Sequence, residues 1–546
     1  MKKALALILS ALMLASLTAC SGGKASSTGT SSKADTGSAA SAAPSQAEET
    51  KITYPLEGGK TLSLAWAEMA AVTAGGTDWK HTPFITNLEK NTGVTLEISH
   101  PTEWATVWAS SNLPDMMYVN WNANYNGGAA KAISDGVITA VDDYMDQYAP
   151  DYKAFITSND TWHKQATTPD GKFYGFNFVR TSEKLQTSAG LIIRQDWMDD
   201  LKLDMPETPE ELKNVLVAFR DQKNASTPFE IGLDTLVWWD SFGLIAGGFG
   251  LPSTNFYLGS DGKVHYGAYE ENYKDYIAYM SDLYAENLLD KNVTTVDGAT
   301  INANMLNGES GLSEGSSGSG IGNWMTSAEK NGDTTFKLTG LRPLSQKKGE
   351  KPVGGQYDNP INGYAVAISG KCKDVETACK FLNYGYTDEG SVYWNFGTEG
   401  VSWNKANEEH FTHKYTDVVM KNDKLSLQQG LAQYCMAWDG GPFGQSEDYV
   451  WQYLSRPEQH NALLQWTDTD AAKYKLPSLT IAEDKLDEYS SIGSEIGTYI
   501  SENFSLFITG KRSLSEYEDF HKTLKDMGME TYIQIMQEAY DAYLAK

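Results

Sequence analysis

At several points of this chain, aromatic side chains stand next to carboxylates or amides, and most of these clusters adjoin glycine. Such clusters suit a ligand with apolar faces and polar edges, because rings stack on the faces while carboxylates and amides hydrogen-bond the edges. The chain has 15 Trp and 30 Tyr, which is high for a soluble chain and needs a use. The residues that we predict to contact a ligand are Trp66, Glu68, Trp121, Asn122, Arg180, Trp238, Trp239, Asp240, Tyr357, Trp438 and Asp439.

Each of these residues could instead have a structural role and not contact a ligand. Tryptophan is usually largely buried, so core packing is the alternative for every Trp in the set. For Arg180 the alternative is a salt bridge at a hinge. Because several clusters share the same pattern, we expect two or three of them to line one binding cleft.

Motifs for a metal-dependent hydrolase or a phosphate cradle are absent from the sequence. There is no H-E-x-x-H or P-loop motif, and the eight His are scattered. With 71 Asp and Glu, pairs of carboxylates at a glycosidase-like separation carry no information. We therefore predict no catalytic residue, no metal and no cofactor.

Alternating strands and helices must position the candidate residues. Residues 61–67 and 94–98 alternate apolar and polar side chains, which is typical of strands with one buried face. Residues 83–91 are predicted to form a helix that ends at Gly93, and residues 116–119 a short apolar strand. This order indicates an α/β domain with a mostly parallel sheet.

The later part of the body continues in the same way. Thr208, followed by Pro209 and Glu211, marks the start of a helix with a capping box. A strand over 361–368 and a helix over 374–384 follow, and 484–544 has helical spacing. The Gly- and Ser-rich run 308–323 is predicted to be a mobile loop.

The first 50 residues resemble an export and anchoring segment. Lys2 and Lys3 precede a short apolar stretch, and small residues lead to Cys20. This pattern predicts a signal peptide over 1–19 with a lipidated Cys20, the alternative being an ordinary cysteine near a cleavage site. Residues 20–50 have the composition of a flexible linker. We therefore expect a protein anchored to the extracellular face of a cell membrane by lipid alone.

The net charge limits the partners that we expect, and the cysteine content limits the disulfide bonds. The net charge of −27 disfavours nucleic acid and anionic membrane surfaces as partners. After Cys20 only three cysteines remain, without metal-ligand spacing, so a disulfide framework does not stabilise the chain.

Several motifs, in order, resemble those of bacterial ABC-importer solute-binding lipoproteins, especially the large oligosaccharide-binding branch. They are Asn112-Leu113-Pro114-Asp115, Asp170-Gly171-Lys172-Phe173-Tyr174-Gly175, Arg194-Gln195-Asp196-Trp197 with Pro206-Glu207-Thr208-Pro209, Asn362-Gly363-Tyr364-Ala365-Val366, and Thr387-Asp388-Glu389-Gly390 with Gly397-Thr398-Glu399-Gly400. Many large relatives carry a calcium loop after the helix that starts near 209. Residues 220–229 lack its oxygen ligands, so we do not expect calcium here.

The resemblance implies an α/β fold of two lobes of the type II periplasmic-binding-protein kind, joined by a hinge, with the ligand cleft between them. Lobe 1 would comprise 51–180 and 362–400, and lobe 2 would comprise 181–361 and 401–546. The implied function is capture of a carbohydrate, in particular an oligosaccharide, by a monomer that delivers it to ABC permease subunits. The alternative is a cell-surface glycosidase or lyase.

Overall fold

The protein is described here by a computed structural model, which describes residues 51–546. The predicted signal peptide, Cys20 and linker lie outside the described residues. The strands are β1 Lys60–Trp66, β2 Val94–Ser99, β3 Met116–Asn120, β4 Phe176–Asn177, β5 Val179–Arg180, β6 Ala189–Arg194, β7 Phe256–Leu258, β8 Val264–Tyr266, β9 Leu312–Ser316, β10 Leu338–Leu341, β11 Tyr364–Ile368, β12 Trp403–Lys405, β13 His413–Tyr415 and β14 Gly444–Gln445.

The α-helices fall into three runs along the chain. The first run is α1 Ala70–Ala74, α2 Pro83–Thr92, α3 Trp104–Trp108, α4 Trp121–Asn124, α5 Gly128–Ser134, α6 Asp142–Tyr148, α7 Pro150–Thr157 and α8 Asp160–Ala166. The second run is α9 Glu183–Gln186, α10 Gln195–Leu201, α11 Pro209–Gln222, α12 Leu233–Asp240, α13 Tyr273–Ala285, α14 Gly298–Asn307 and α15 Asn323–Lys330. The third run is α16 Val375–Asn383, α17 Asp388–Phe396, α18 Asp417–Met420, α19 Leu427–Tyr434, α20 Glu447–Tyr453, α21 Pro457–Thr467, α22 Leu486–Ile508, α23 Tyr517–Asp526 and α24 Met529–Leu544.

The first lobe is built on a five-stranded sheet of order β2-β1-β3-β11-β4. Strands β2, β1 and β3 are parallel, while β11 returns from late in the chain and runs antiparallel to β3 and β4. The predicted, mostly parallel α/β sheet is thereby confirmed. Because the three parallel strands end at the same edge, the residues that follow them meet there.

Local sequence explains why helix α2, between β1 and β2, forms where it does. The Thr82 hydroxyl accepts a hydrogen bond from the backbone N–H of Ile85, and Pro83 occupies the first helical position. Gly93, at φ 75°, ends the helix in the left-handed conformation that glycine adopts without strain. One face of α2, including Phe84 and Leu88, is buried in the core of the first lobe.

The second lobe contains a smaller antiparallel sheet of order β10-β6-β9. Residues 308–323 were predicted to form a mobile loop, and this prediction is wrong. They contain the sheet strand β9, because their glycines permit close packing. A Cβ atom at Gly311 would lie 2.3 Å from the ring of Phe219, and one at Gly320 would lie 2.7 Å from Ile192.

Three segments connect the lobes and hydrogen-bond one another, and we call them the hinge segments: residues 178–188, 356–363 and 440–446. Strand β5 pairs in parallel with β14. The backbone N–H of Arg180 donates to the carbonyl oxygen of Pro360 at 2.8 Å, and that of Asp358 donates to Gln186 at 2.6 Å. The lobes are therefore joined by a compact set of short strands.

The structure differs from the predicted lobe boundaries at one point. Residues 401–546 were assigned to the second lobe, but α19 packs on α1 and α2 of the first lobe. Ala432, Met436 and Phe443 belong to the core of the first lobe. The chain thus returns to the first lobe before its final helices, which contribute Phe504 and Tyr532 to the core of the second lobe.

Among residues 51–546, no helix has both the length and the apolar character needed to cross a bilayer.

Candidate functional site

A cavity of about 650 Å³ lies at the edge of the first-lobe sheet where β1 and β3 end and β11 begins. Its position agrees with the rule that ligands of open α/β sheets bind beyond the carboxyl ends of the strands. Its lining residues are Trp66, Ala67, Glu68, Met69, Ala70, Ala71, Trp104, Tyr118, Val119, Asn120, Asn124, Phe178, Arg180, Asn362, Tyr364, Ser426, Gln428, Gln429, Trp438 and Asp439.

The floor of the cavity is a rigid stack of aromatic rings. Trp66, only 2% exposed, stacks on Tyr118 with ring centroids 3.8 Å apart and an interplanar angle of 24°. Trp79 packs against the other side of this cluster, 4.8 Å from Trp66. Because Trp66 and Tyr118 are both buried, they act mainly as a foundation for the rings above them.

More exposed rings form the cavity walls. Tyr364, at the start of β11, is 38% exposed and lies 5.4 Å from the ring of Tyr118. Trp104 is half-buried and stacks on Trp108 at 5.2 Å. Trp438 is also half-buried, and its indole N–H donates to the carbonyl oxygen of Cys435 at 3.1 Å, which fixes the plane of the ring. These rings present apolar faces to a ligand at little conformational cost.

Glycine at position 440 brings the neighbouring Asp439 to the aromatic floor. Gly440 has φ 126°, and a Cβ atom there would lie 2.3 Å from the hydroxyl oxygen of Tyr118. The loop therefore approaches the floor more closely than any other residue would allow. The Asp439 side chain is exposed to the cavity, and protein atoms surround its other sides. This burial raises its pKa to about 6, a shift that the hydrogen bond with Trp66 opposes.

Arg180 lies where the hinge segments meet the cavity. Its guanidinium group is 3.5 Å from the carboxylate of Asp358 and 5.9 Å from the ring centroid of Phe178. The residue thus lines the cavity and also makes the hinge ion pair that was the structural alternative. A partly exposed pair of this kind contributes about 0–1 kcal/mol to stability, so its role is chiefly to orient the guanidinium group.

The remaining polar groups in the walls divide into fixed and available ones. The Asn120 amide donates to the carbonyl oxygen of Asn362 at 3.0 Å and accepts from the N–H of Ala123, so it is committed to capping α4. In contrast, Glu68 and Gln428 are exposed at the cavity wall. The arrangement offers stacking faces together with hydrogen-bonding edges.

A family model described as bacterial extracellular solute-binding protein matches residues 70–392, more than half of the chain. The chain belongs to this family of bacterial extracellular solute-binding proteins. The matched residues include the hinge segment 178–188, the chain on both sides of it, and the return strand β11. It confirms the resemblance that the ordered motifs indicated.

Relatives match this solute-binding protein over nearly its whole length. The fructooligosaccharide ABC transporter substrate-binding protein FusA of Streptococcus pneumoniae is 24% identical over 520 residues, covering 90% of this chain and 92% of FusA. The lipoprotein LipO of Bacillus subtilis is 24% identical over 480 residues, covering 84% of this chain and 89% of LipO. The crystal structure of the alginate-binding protein AlgQ2 without calcium ion shares the fold, with a TM-score of 0.66 at 22% identity over 90% of this chain and 100% of AlgQ2. The two-lobe type II fold is thereby confirmed.

The cavity of this solute-binding protein brings together five of the predicted ligand-binding residues, and they come from distant parts of the sequence. They are Trp66, Glu68, Arg180, Trp438 and Asp439.

Two other predicted residues lie outside the cavity as parts of the protein interior. Trp121 is fully buried, and its indole N–H donates to the carbonyl oxygen of Ala365 at 3.2 Å. Asp240 is 1% exposed, and one carboxylate oxygen accepts from the N–H groups of Ile245 and Ala246. The position of Trp121, at the start of α4, fits the core-packing alternative, and α12 directs Asp240 inward as well. Burial also raises the pKa of Asp240.

The other four predicted residues do not line the cavity and are at least partly exposed, although Trp239 packs against the core of the second lobe. Asn122 is exposed on α4. Trp238 is 41% exposed on α12 of the second lobe, and its ring lies 4.2 Å from that of Trp239. Tyr357 lies in the return hinge segment, where the ammonium group of Lys475 is 5.3 Å from its ring. For these residues ligand contact stays a prediction.

Most of the lining residues were missed in the sequence, among them Tyr364, Trp104 and Gln428. Tyr364 follows Asn362 and Gly363, which is the same polar–glycine–aromatic pattern that marked the other clusters, so it could have been found. Trp104 follows Glu103 and begins the short helix α3, and it carried a weaker signal. Gln428 lies on α19, where nothing in the local sequence indicates that the helix packs beside the cavity.

Within residues 51–546, no group of three or more His, Cys, Asp or Glu side chains is placed to hold a metal ion. In residues 220–229, where we do not expect calcium, Arg220 pairs with Asp221 and Lys223 pairs with Asp200.

Proposed function

We propose that this protein captures an oligosaccharide in the first-lobe cavity and delivers it to the permease subunits of an ABC importer. The observation that carries the proposal is the combination of exposed rings and available polar groups at one sheet edge, next to the hinge. Tyr364 and Trp438 offer faces to the apolar sides of sugar rings, and Asp439 and Glu68 accept hydrogen bonds from hydroxyl groups. Its relative FusA, a fructooligosaccharide ABC transporter substrate-binding protein, supports the same class of ligand.

In this proposal the second lobe closes over the bound sugar. A ligand favours closure only if it makes contacts that exist in the closed state alone. Trp238, with its exposed ring on α12, is the aromatic residue that we propose to supply such a contact.

The protein acts as a monomer, held on the extracellular face of the membrane through lipidated Cys20. Cys20→Ser should release it into the medium or leave it as precursor, and mass spectrometry of a mature N-terminus without an acyl group would contradict the anchor.

Binding can be tested with a panel of oligosaccharides in a thermal-shift screen followed by titration calorimetry. A ligand at a hundred times its dissociation constant should stabilise the folded protein by about 2.7 kcal/mol. Trp438→Ala should weaken the best ligand by about tenfold or more, because central stacking aromatics dominate binding energy. Tyr284→Ala, an aromatic truncation on α13 outside the cavity, is the matched control. Unchanged affinity in Trp438→Ala would contradict the proposed site.

A cell-surface glycosidase is the second candidate, and one observation favours it. Burial raises the pKa of Asp439 to about 6, as in the general acid of many glycosidases. We propose binding without turnover, since FusA is named as a substrate-binding protein. Incubation of the purified protein with its best ligand, followed by chromatography of the sugar, separates the two. Cleaved product in excess of the protein would establish the enzyme and overturn the binding proposal.

A further inference from the structure

The charges that line the cavity differ from those that an acidic sugar would require. Of the lining residues, only Glu68, Asp439 and Arg180 carry a formal charge. Two of the three are carboxylates. Proteins that bind carboxylate groups rely on Arg or Lys side chains, which donate charge-assisted hydrogen bonds. The composition of the walls is therefore suited to hydroxyl groups and not to a uronate.

Arg180 does not reverse this balance, because it is one cation beside two lining carboxylates and it also faces Asp358. Its Nη1 lies 3.5 Å from the carboxylate of Asp358 and 3.5 Å from the carbonyl oxygen of Asn359. At Nη1 a ligand carboxylate would have to compete with Asp358. Lys475, in the same region, does not line the cavity, and burial lowers its pKa to about 7. Neither cation is a ready receptor for an anion.

The environment of Asp439 adds to the repulsion. Asp439 is exposed at the cavity wall, so its carboxylate faces any charge that enters the cavity. A uronate placed near Asp439 would either repel it or force it to take up a proton. A neutral hydroxyl, in contrast, donates a hydrogen bond to the ionised carboxylate.

We propose that the cavity selects neutral oligosaccharides and rejects uronic-acid oligosaccharides, through the carboxylates of Glu68 and Asp439. This inference rests on the proposed function. The names of the relatives leave the question open, because fructooligosaccharides are neutral whereas alginate is a polyuronate. The charges of this cavity place the chain with the binders of neutral sugars.

The test compares a panel of neutral tri- and tetrasaccharides with tri- and tetragalacturonate by titration calorimetry at pH 7. The wild-type protein should bind at least one neutral sugar and bind the galacturonates at least about tenfold more weakly, a difference of about 1.4 kcal/mol. Raising the ionic strength from about 0.01 M to about 1 M should narrow this gap, because salt screens repulsion.

Variants identify the cause of the selectivity. The double variant Glu68→Gln, Asp439→Asn should weaken the neutral sugar, but the ratio of galacturonate to neutral affinity should rise by about tenfold or more. The two single variants should each shift the ratio part of the way. Glu495→Gln, which removes an exposed carboxylate on α22 far along the chain, is the control and should leave the ratio unchanged. Melting curves establish that each variant is folded.

The outcomes separate this inference from the proposed function. If galacturonates bind the wild-type protein as tightly as neutral sugars or more tightly, the selectivity is wrong while oligosaccharide capture stands. An affinity ratio that does not change in the folded double variant also overturns the role of the two carboxylates. If the folded protein binds no member of either panel, the proposed function fails and the inference fails with it.

Discussion

Replacement of Trp66 by alanine should cost this protein stability as well as affinity. Trp66 is 2% exposed and contacts both Tyr118 and Trp79. Truncation of a buried tryptophan costs about 3–5 kcal/mol, because the transfer free energy is lost and a cavity remains. In a lobe of about 150–250 residues, each kcal/mol lowers the melting temperature by about 2–4 °C. A loss of about 4 kcal/mol therefore predicts a drop of about 8–16 °C.

The comparison with Tyr364→Ala makes this prediction sharp. Tyr364 lines the same cavity but is 38% exposed, so its truncation should change stability by less than about 1 kcal/mol. It should weaken ligand binding by about 2 kcal/mol, close to thirtyfold. Differential scanning calorimetry gives the stabilities, and titration calorimetry gives the affinities. Trp66→Phe, which keeps a ring in the stack, should recover most of the lost stability. If Trp66→Ala melts like the wild type, Trp66 is not the foundation that its burial indicates.

Three further predictions concern the residues around the floor. Gly440→Ala should destabilise the protein by about 1–3 kcal/mol and weaken binding, because alanine is strained at this positive φ and its Cβ atom would clash with Tyr118. Gly400→Ala is the control for backbone strain alone, because Gly400 also has a positive φ, 77°, but has no atom near the added Cβ. Affinity for a neutral sugar should be full above pH 7 and fall as the pH drops through about 6, since protonation of Asp439 removes an acceptor, and Asp439→Asn should flatten this profile in calorimetric titrations. A double-mutant cycle on Arg180 and Asp358, measured by urea unfolding, should give a coupling energy below about 1 kcal/mol. A larger value would show that the ion pair is shielded from solvent more than its exposure implies.

Much of the fold could be predicted from the sequence, because its signals are local. Alternation of apolar residues placed β1, and the threonine–proline start placed α11 at Pro209–Gln222. Both signals depend on hydrogen bonds and burial within a few residues. The run 308–323 was misjudged for the converse reason. Its glycines serve close packing against Phe219 and Ile192, which are distant in sequence.

The sequence by itself determined the α/β class, the order of the motifs and the pairing of aromatic with polar residues. Only the tertiary structure decided which of those residues meet. Trp121 and Trp438 have similar neighbours in the sequence, yet Trp121 is fully buried under β11 while Trp438 lines the cavity. The return of α19 to the first lobe brings Asp439 beside Trp66, and no local pattern encodes that contact. The physical reason is that periodicity fixes which side of an element is apolar, whereas the site depends on which elements pack together across long separations in the chain.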